Sequence, residues 1–244
     1  MTENKKKVLR LTIVICILFV LIPLTIWLGV KIFEDRKYNL ISAVIAFLSC
    51  VPFFLRFERG RSGAREMTVI AVMTAFSVLG RLIFAPVPGF KPVTAMTVIT
   101  GISLGPEAGF IVGSMSALVS NIFFGQGPWT PFQMFVWGLI GFLSALLFRK
   151  CRRPNRVLLS LVGIFAGVLF SLLMDIWTTL SFDGEFLLSR YLANVASSLP
   201  FMAIYAVSNV VFLMILAYPF FDKLERIKTK YGIFREENQT DRTA

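Results

Sequence analysis

The sequence predicts an all-α membrane protein with eight transmembrane helices. Three observations carry this. Long uncharged apolar runs fill most of the 244 residues: 11–30, 38–55, 108–148 and 191–221 contain no Lys, Arg, Asp or Glu, and 108–148 is long enough for two spans. Hydrophobic residues make up 56 % of the chain and charged residues only 16 %, which excludes an ordinary soluble domain. The basic residues also fall on one side. With the N-terminus inside, the inner segments hold Lys5, Lys6, Lys7 and Arg10, then Arg56, Arg59, Arg61 and Arg65, then Arg149, Lys150, Arg152, Arg153 and Arg156, and finally Lys223, Arg226, Lys228, Lys230, Arg235 and Arg242. The outer loops hold only Lys31, Arg36, Lys37, Lys91 and Arg190.

The elements follow in order. A helix over about 9–31 exceeds the length of a signal h-region and lacks a small-residue cleavage site, so it reads as a retained span. A second, at 40–55, closes a hairpin with few polar residues. The basic loop RFERGRSGARE (56–66) then divides the chain. Six further helices are predicted at about 67–84, 92–105, 108–124, 131–148, 157–180 and 192–219. The fourth span is short and ends in the inside turn LGPEAG. The predicted units are therefore an N-terminal hairpin with its loop (1–60), a six-helix core (61–221) and a charged inner tail (222–244), helical near DKLERIKTK. Both termini are expected in the cytoplasm of a multi-pass cell-membrane protein.

Composition narrows the chemistry. The net charge of +11 follows from the positive-inside bias and from anionic inner-leaflet lipid, not from nucleic acid binding. The chain has no His, which removes the commonest general base and metal ligand. Cys16, Cys50 and Cys151 show no CxxC spacing, so neither a metal site nor an outer disulfide is expected. No Walker A sequence occurs, and no acid pair or nucleophile–base set stands out. An enzyme is not expected, and energy for transport would come from a partner or an ion gradient.

Small residues at four-residue spacing, Gly109/Gly113/Ala117 and Gly163/Gly167/Ser171, predict close helix packing. Charges inside spans are costly and face a bundle interior or a cavity. Arg81 and Asp175 are the two cases; Asp175 continues the 163/167/171 face. They mark either a ligand site or a mutual structural pair. Asn121, Gln133, Trp137 and Asn194 lie at the same outer level, near the ends of their helices. Trp129 and Trp137 also suit an interfacial belt, and Asn121 a helix cap. The loop GQGPWTP (125–131) combines Pro stiffening with an aromatic face at Trp129 and hydrogen-bonding groups at Gln126 and Thr130. The loop PVPGFK (86–91) offers Phe90 to stack and Lys91 to meet an anion. Together these predict an outward-open site for a polar organic molecule.

The stretches ARE…VIAVMTAFSVLGR and PGFKPVTAMTVITGISLGPEAGFIVGSMSALVSNIFFGQGPWTPFQMFVWGLIGFLSALL resemble the substrate-binding S component of energy-coupling factor (ECF) vitamin transporters. The resemblance covers about 64–220. It implies a six-helix fold, a transmembrane T component and two cytoplasmic ATPase subunits as partners, ATP used by those subunits, and a vitamin as ligand. It also implies that the AxxxA face, here Ala71 and Ala75, packs on the T component. The family's members take riboflavin, thiamine, biotin, folate, cobalamin or queuosine precursors. The GPWTP-type loop resembles those associated with cobalamin or related corrinoids, with riboflavin or a queuosine precursor as alternatives. An ion-gradient-driven transporter with Asp175 as its cation site is the reading from a different class. The N-terminal hairpin has no counterpart in the family's usual length.

Overall fold

The computed structural model describes residues 12–13, 15–33, 44, 48, 63–149, 151, 153–183 and 186–234. All regular structure among the described residues is helical. A π-helical turn at Ile17–Leu21 leads into α1 (Ile22–Phe33). The core follows as α2 (Gly63–Ile83), α3 (Val93–Leu104), α4 (Pro106–Phe124), α5 (Trp129–Leu147), α6 (Arg156–Asp183) and α7 (Leu188–Tyr231). Five helices, α2 and α4 to α7, are long and apolar enough to cross a bilayer. The second predicted span, 40–55, and the 56–62 part of the basic loop lie outside the described residues apart from Val44 and Leu48, both helical.

Four boundaries differ from expectation. Helix α2 begins a turn early, at Gly63, because Ala64, Arg65 and Glu66 are helix formers and Glu66 lies in the first turn, where a carboxylate meets the positive end of the dipole. Helix α5 begins at Trp129, so Trp129, Thr130 and Pro131 form its first turn instead of completing a loop. Proline fits a first turn because its missing N–H has no intrahelical acceptor there. Helix α6 extends to Asp183. Helix α7 runs for 44 residues through Pro200 and Pro219 and past the boundary expected at 221, so DKLERIKTK continues the last span. Its end is set by Gly232, whose φ of +61° permits the left-handed turn.

Helix α3 has 12 residues, about 18 Å of helix against a hydrocarbon core of about 30 Å. Nearly every residue is buried, Val93 to Ile102 without interruption, and α2, α4, α5 and α7 all pack on it. Glycine makes this possible. A Cβ on Gly101 would stand 2.2 Å from the Gly141 carbonyl oxygen, and one on Gly141 would stand 2.4 Å from that of Gly109. Helices α3, α4 and α5 therefore meet backbone to backbone. Gly113 is equally tight against the Trp137 carbonyl, at 2.4 Å. The second predicted small-residue face joins α6 to α7: a Cβ on Gly167 would lie 2.7 Å from the Ala206 nitrogen, and Asn209 Nδ2 donates to the Gly163 carbonyl at 3.1 Å.

The helices alternate in direction, so the bundle has two distinct ends. At one, Ile233 and Phe234 are buried, and the Phe234 amide donates to Glu66 Oε1 at 2.7 Å, tying the end of α7 to the start of α2. The other end gathers Arg81, the α2–α3 and α4–α5 loops, and the adjoining ends of α6 and α7.

Candidate functional site

The second end is built around Arg81, which is 7 % exposed. A guanidinium at this depth in an apolar bundle needs partners. Its Nη1 donates to Ser120 Oγ and, at 2.8 Å, to Asn121 Oδ1, both on α4. Its plane lies 4.7 Å from the Phe124 ring and 5.2 Å from the Trp137 ring, within cation–π range. Asn121 carries the network onward: Nδ2 donates to Thr130 Oγ1 and Gln133 Oε1, each at 2.9 Å, on the first turns of α5. Thr130 Oγ1 also accepts from the Gly127 amide at 3.3 Å, fixing the loop. Asn121 is thus a bridge between three elements and not a helix cap.

Trp137 is 2 % exposed, in the bundle interior and not in a belt. It stacks on Phe170 of α6, with centroids 5.1 Å apart and planes at 19°. Phe170 meets Tyr205 of α7 edge-on at 5.2 Å, and Lys91 Nζ lies 5.7 Å from the Tyr205 ring. Arg81, Trp137, Phe170, Tyr205 and Lys91 are thus linked by successive ring contacts.

Lys91 is half-buried, and its backbone is clamped to α7. Its N–H donates to Ser208 Oγ at 2.9 Å, and Ser208 Oγ donates back to its carbonyl at 3.2 Å. Burial, and after it the nearby positive charge of Arg81, lower the ammonium pKa to about 8.

Asp175 and Arg81 do not pair. Asp175 Oδ2 accepts from Ser198 Oγ of α7 at 2.6 Å. Asn194 Nδ2 donates to Thr179 Oγ1 at 3.0 Å, and Thr179 Oγ1 donates to the Asp175 carbonyl at 2.8 Å. This second polar network joins α6 and α7 as the Arg81 network joins α2, α4 and α5. Tyr205 lies within electrostatic range of both charges, between the networks.

The remaining predicted residues take quieter positions. The Trp129 indole folds over Gly127, whose added Cβ would lie 2.3 Å from the ring, and meets Trp177 edge-on at 5.9 Å. Gln126 Nε2 donates to the Leu118 carbonyl at 2.8 Å. Phe90 packs with Phe84 and Phe212, at 5.8 and 4.9 Å. Ala71 and Ala75 are exposed, in a stripe with Val72, Phe76 and Leu79, while Arg81 turns inward from the same helix.

Sequence reasoning missed Ser120, Phe170, Trp177 and Tyr205. Tyr205 was findable, since 194, 198, 205 and 209 share one helical face of α7. Among the described residues, the buried atoms without a hydrogen-bond partner include Arg81 Nε, Gln126 Oε1, Trp137 Nε1 and Trp177 Nε1. Buried polar atoms are normally paired, so these are groups with hydrogen-bonding capacity to offer a ligand.

A bundle of apolar helices, five of them long enough to span a bilayer, marks a multi-pass membrane protein. The family model for the ECF-type riboflavin transporter, S component, matches residues 62–226, and the chain belongs to that family. It is thus a substrate-binding subunit of an ECF transporter, as the resemblance implied. Neither the curated proteins nor the solved structures give a match.

Proposed function

We propose that this chain captures riboflavin at the Arg81 end and delivers it to an ATP-driven ECF complex. The observation that carries the reading is the family match over the whole six-helix core, whose named substrate is riboflavin. The chemistry of the site supports it. An isoalloxazine is planar, aromatic and edged with acceptors and one donor. Trp137, Phe170 and Tyr205 supply ring faces, while the unpaired Arg81 Nε, Trp137 Nε1 and Gln126 Oε1 supply complementary edges. The ribityl hydroxyls would meet the Asp175–Ser198 and Asn194–Thr179 network. The flavin alternative thereby takes precedence over the corrinoid.

In this reading the Arg81 end faces outward, both termini are cytoplasmic, and the T component docks on the exposed Ala71/Ala75 stripe while two ATPases drive the cycle. Small residues let a partner helix approach closely. The stripe and Arg81 occupy different sides of α2, so docking and capture do not compete for one surface.

Titration of the detergent-purified chain with riboflavin, followed by quenching of flavin fluorescence, tests the assignment. Saturable quenching at one equivalent is expected, with cobalamin failing to displace the flavin. Saturable cobalamin binding with no response to riboflavin would restore the corrinoid reading.

A further inference from the structure

The end of the bundle opposite Arg81 carries a feature that ligand capture does not use. Helix α7 stops at Tyr231, and the next three residues turn back as a hook. Gly232 and Phe234 both have positive φ, +61° and +51°, and the Gly232 and Ile233 amides both donate to the Lys228 carbonyl. Glycine takes a positive φ readily; a bulky residue does so rarely, and such strain persists only where the surroundings over-determine it. Here they do. Ile233 and Phe234 are buried in the core, and the Phe234 amide donates to Glu66 Oε1 at 2.7 Å. Arg65, beside Glu66, lies 5.5 Å from the Tyr231 ring, within cation–π range. The end of α7 therefore grips the first turn of α2 at two adjacent residues.

We propose that Glu66 is a positioning residue for partner docking: by holding the 232–234 hook, it fixes the end of α2 that leads into the Ala71/Ala75 stripe. This rests on the reading above that the stripe receives the T component. Helix α2 needs such a hold. Only 39 % of its apolar window is buried, and in its first two turns Gly63, Glu66 and Ile70 are the buried residues. Ala71 follows Glu66 by five residues, about 7.5 Å along the helix. At about 100° per residue, Ala71 and Ala75 stand about 140° and 180° around the axis from Glu66. The hook thus grips α2 from the bundle side, and both alanines stay exposed. A small-residue stripe admits a partner helix only if the helix bearing it keeps its course, since close packing tolerates little shift. With the hook released, the first turns of α2 open locally. Only the molecules with those turns formed then present the stripe, and apparent affinity for the partner falls by that fraction.

The test compares Glu66→Ala, Glu66→Gln and Phe234→Pro in the full chain. Alanine removes the acceptor and glutamine keeps one; proline removes the donor and cannot take a φ of +51°. Three quantities are measured on each purified variant: riboflavin affinity, amide exchange over 63–70, and capture by a purified ECF T component with its two ATPases. Glu66→Ala and Phe234→Pro should speed the exchange and weaken capture about tenfold, the scale of one hydrogen bond to a charged group, with riboflavin affinity at the wild-type value. Glu66→Gln should restore most of both. Unchanged exchange, or faster exchange with unchanged capture, overturns the proposal. So does a loss of capture matched by an equal loss of riboflavin affinity, which would make the hook a plain stability element. Capture of Ala71→Leu with Ala75→Leu at the wild-type level overturns the docking reading itself, an outcome distinct from failure of the hook. Failure to capture the wild type overturns the two together.

Discussion

The trunk formed by α3, α4 and α5 and the arm formed by α6 and α7 are built on different terms. In the trunk the apolar windows of α4 and α5 are 67 % and 72 % buried, and three glycines bring backbones into contact. In the arm the corresponding shares are 39 % for α6 and 22 % for α7. Both halves use small residues at four-residue spacing. Only the trunk surrounds them on every side. The Arg81 network is therefore anchored to a part of the bundle that has no room to shift, whereas Asp175, Ser198 and Tyr205 belong to a pair of helices held mainly by each other. The contrast teaches that the Arg81 network leans on the tightly packed trunk and the Asp175 network on the more exposed arm.

The sharpest way to break this comparison is a pair of glycine substitutions. Gly141→Leu should abolish recovery of folded protein, since even its Cβ would lie 2.4 Å from backbone; overpacking costs about 1–3 kcal/mol where side chains can yield, and more where they cannot. Gly163→Ala, whose Cβ would meet the flexible Leu213 Cδ1 and the Val210 nitrogen at 3.1 Å, should lower the melting temperature only modestly. Equal losses in the two would show that trunk and arm are equally rigid.

Next comes Asn121→Ala, which leaves Arg81, Thr130 and Gln133 each short of a partner. It should cost about 1–3 kcal/mol of stability and also weaken flavin binding. Asp175→Ala removes one hydrogen bond, from Ser198, in the looser half. It should act mainly on affinity. Thermal unfolding and flavin titration on both variants measure the split.

Trp129→Ala should weaken flavin binding by about 0.5–1.5 kcal/mol, through lost support of Trp177 and the Gly127 turn. Trp27→Ala, at a residue 56 % exposed on α1, should leave affinity at the wild-type value. Equal effects would detach Trp129 from the site.

The stability of the free chain should change with pH through Lys91, whose pKa is lowered to about 8. A lysine whose folded pKa is depressed binds fewer protons folded than unfolded between about 8 and its ordinary 10.5, so stability of the free chain rises over that window. Melting curves at pH 7 and 9 check it. The smallest effect on the chain itself is expected from Ala71→Leu with Ala75→Leu. Both sites are exposed, so melting and flavin binding should hold while capture of a T component in a pull-down is lost.

Much of this was legible in the sequence because membrane helices announce themselves by length and charge, not by subtle periodicity. The six core helices, the glycine faces and the inward Arg81 followed from that. Trp129 was misplaced because Pro128 and Pro131 read as loop residues, although a proline in a helix's first turn breaks nothing. The division of Arg81 and Asp175 into separate networks was not legible. It depends on rotations about helix axes that only tertiary packing fixes. Ser120 was hidden beside Asn121, and Phe170 and Trp177 within an apolar run, where nothing distinguishes a site residue from a lipid-facing one.

Helix α7 has a mechanical consequence. At 44 residues it measures about 66 Å, roughly twice the thickness of the hydrocarbon core. Tyr205 sits near the level of the site, and the basic stretch from Lys223 to Lys230 lies about 30 Å further along the same rod. Over that distance a tilt of about 10°, ordinary for a membrane helix, displaces the far tip by about 5 Å. A small change in how the rod leans at the Arg81 end thus becomes a side-chain-sized movement at the other, with leverage supplied by length.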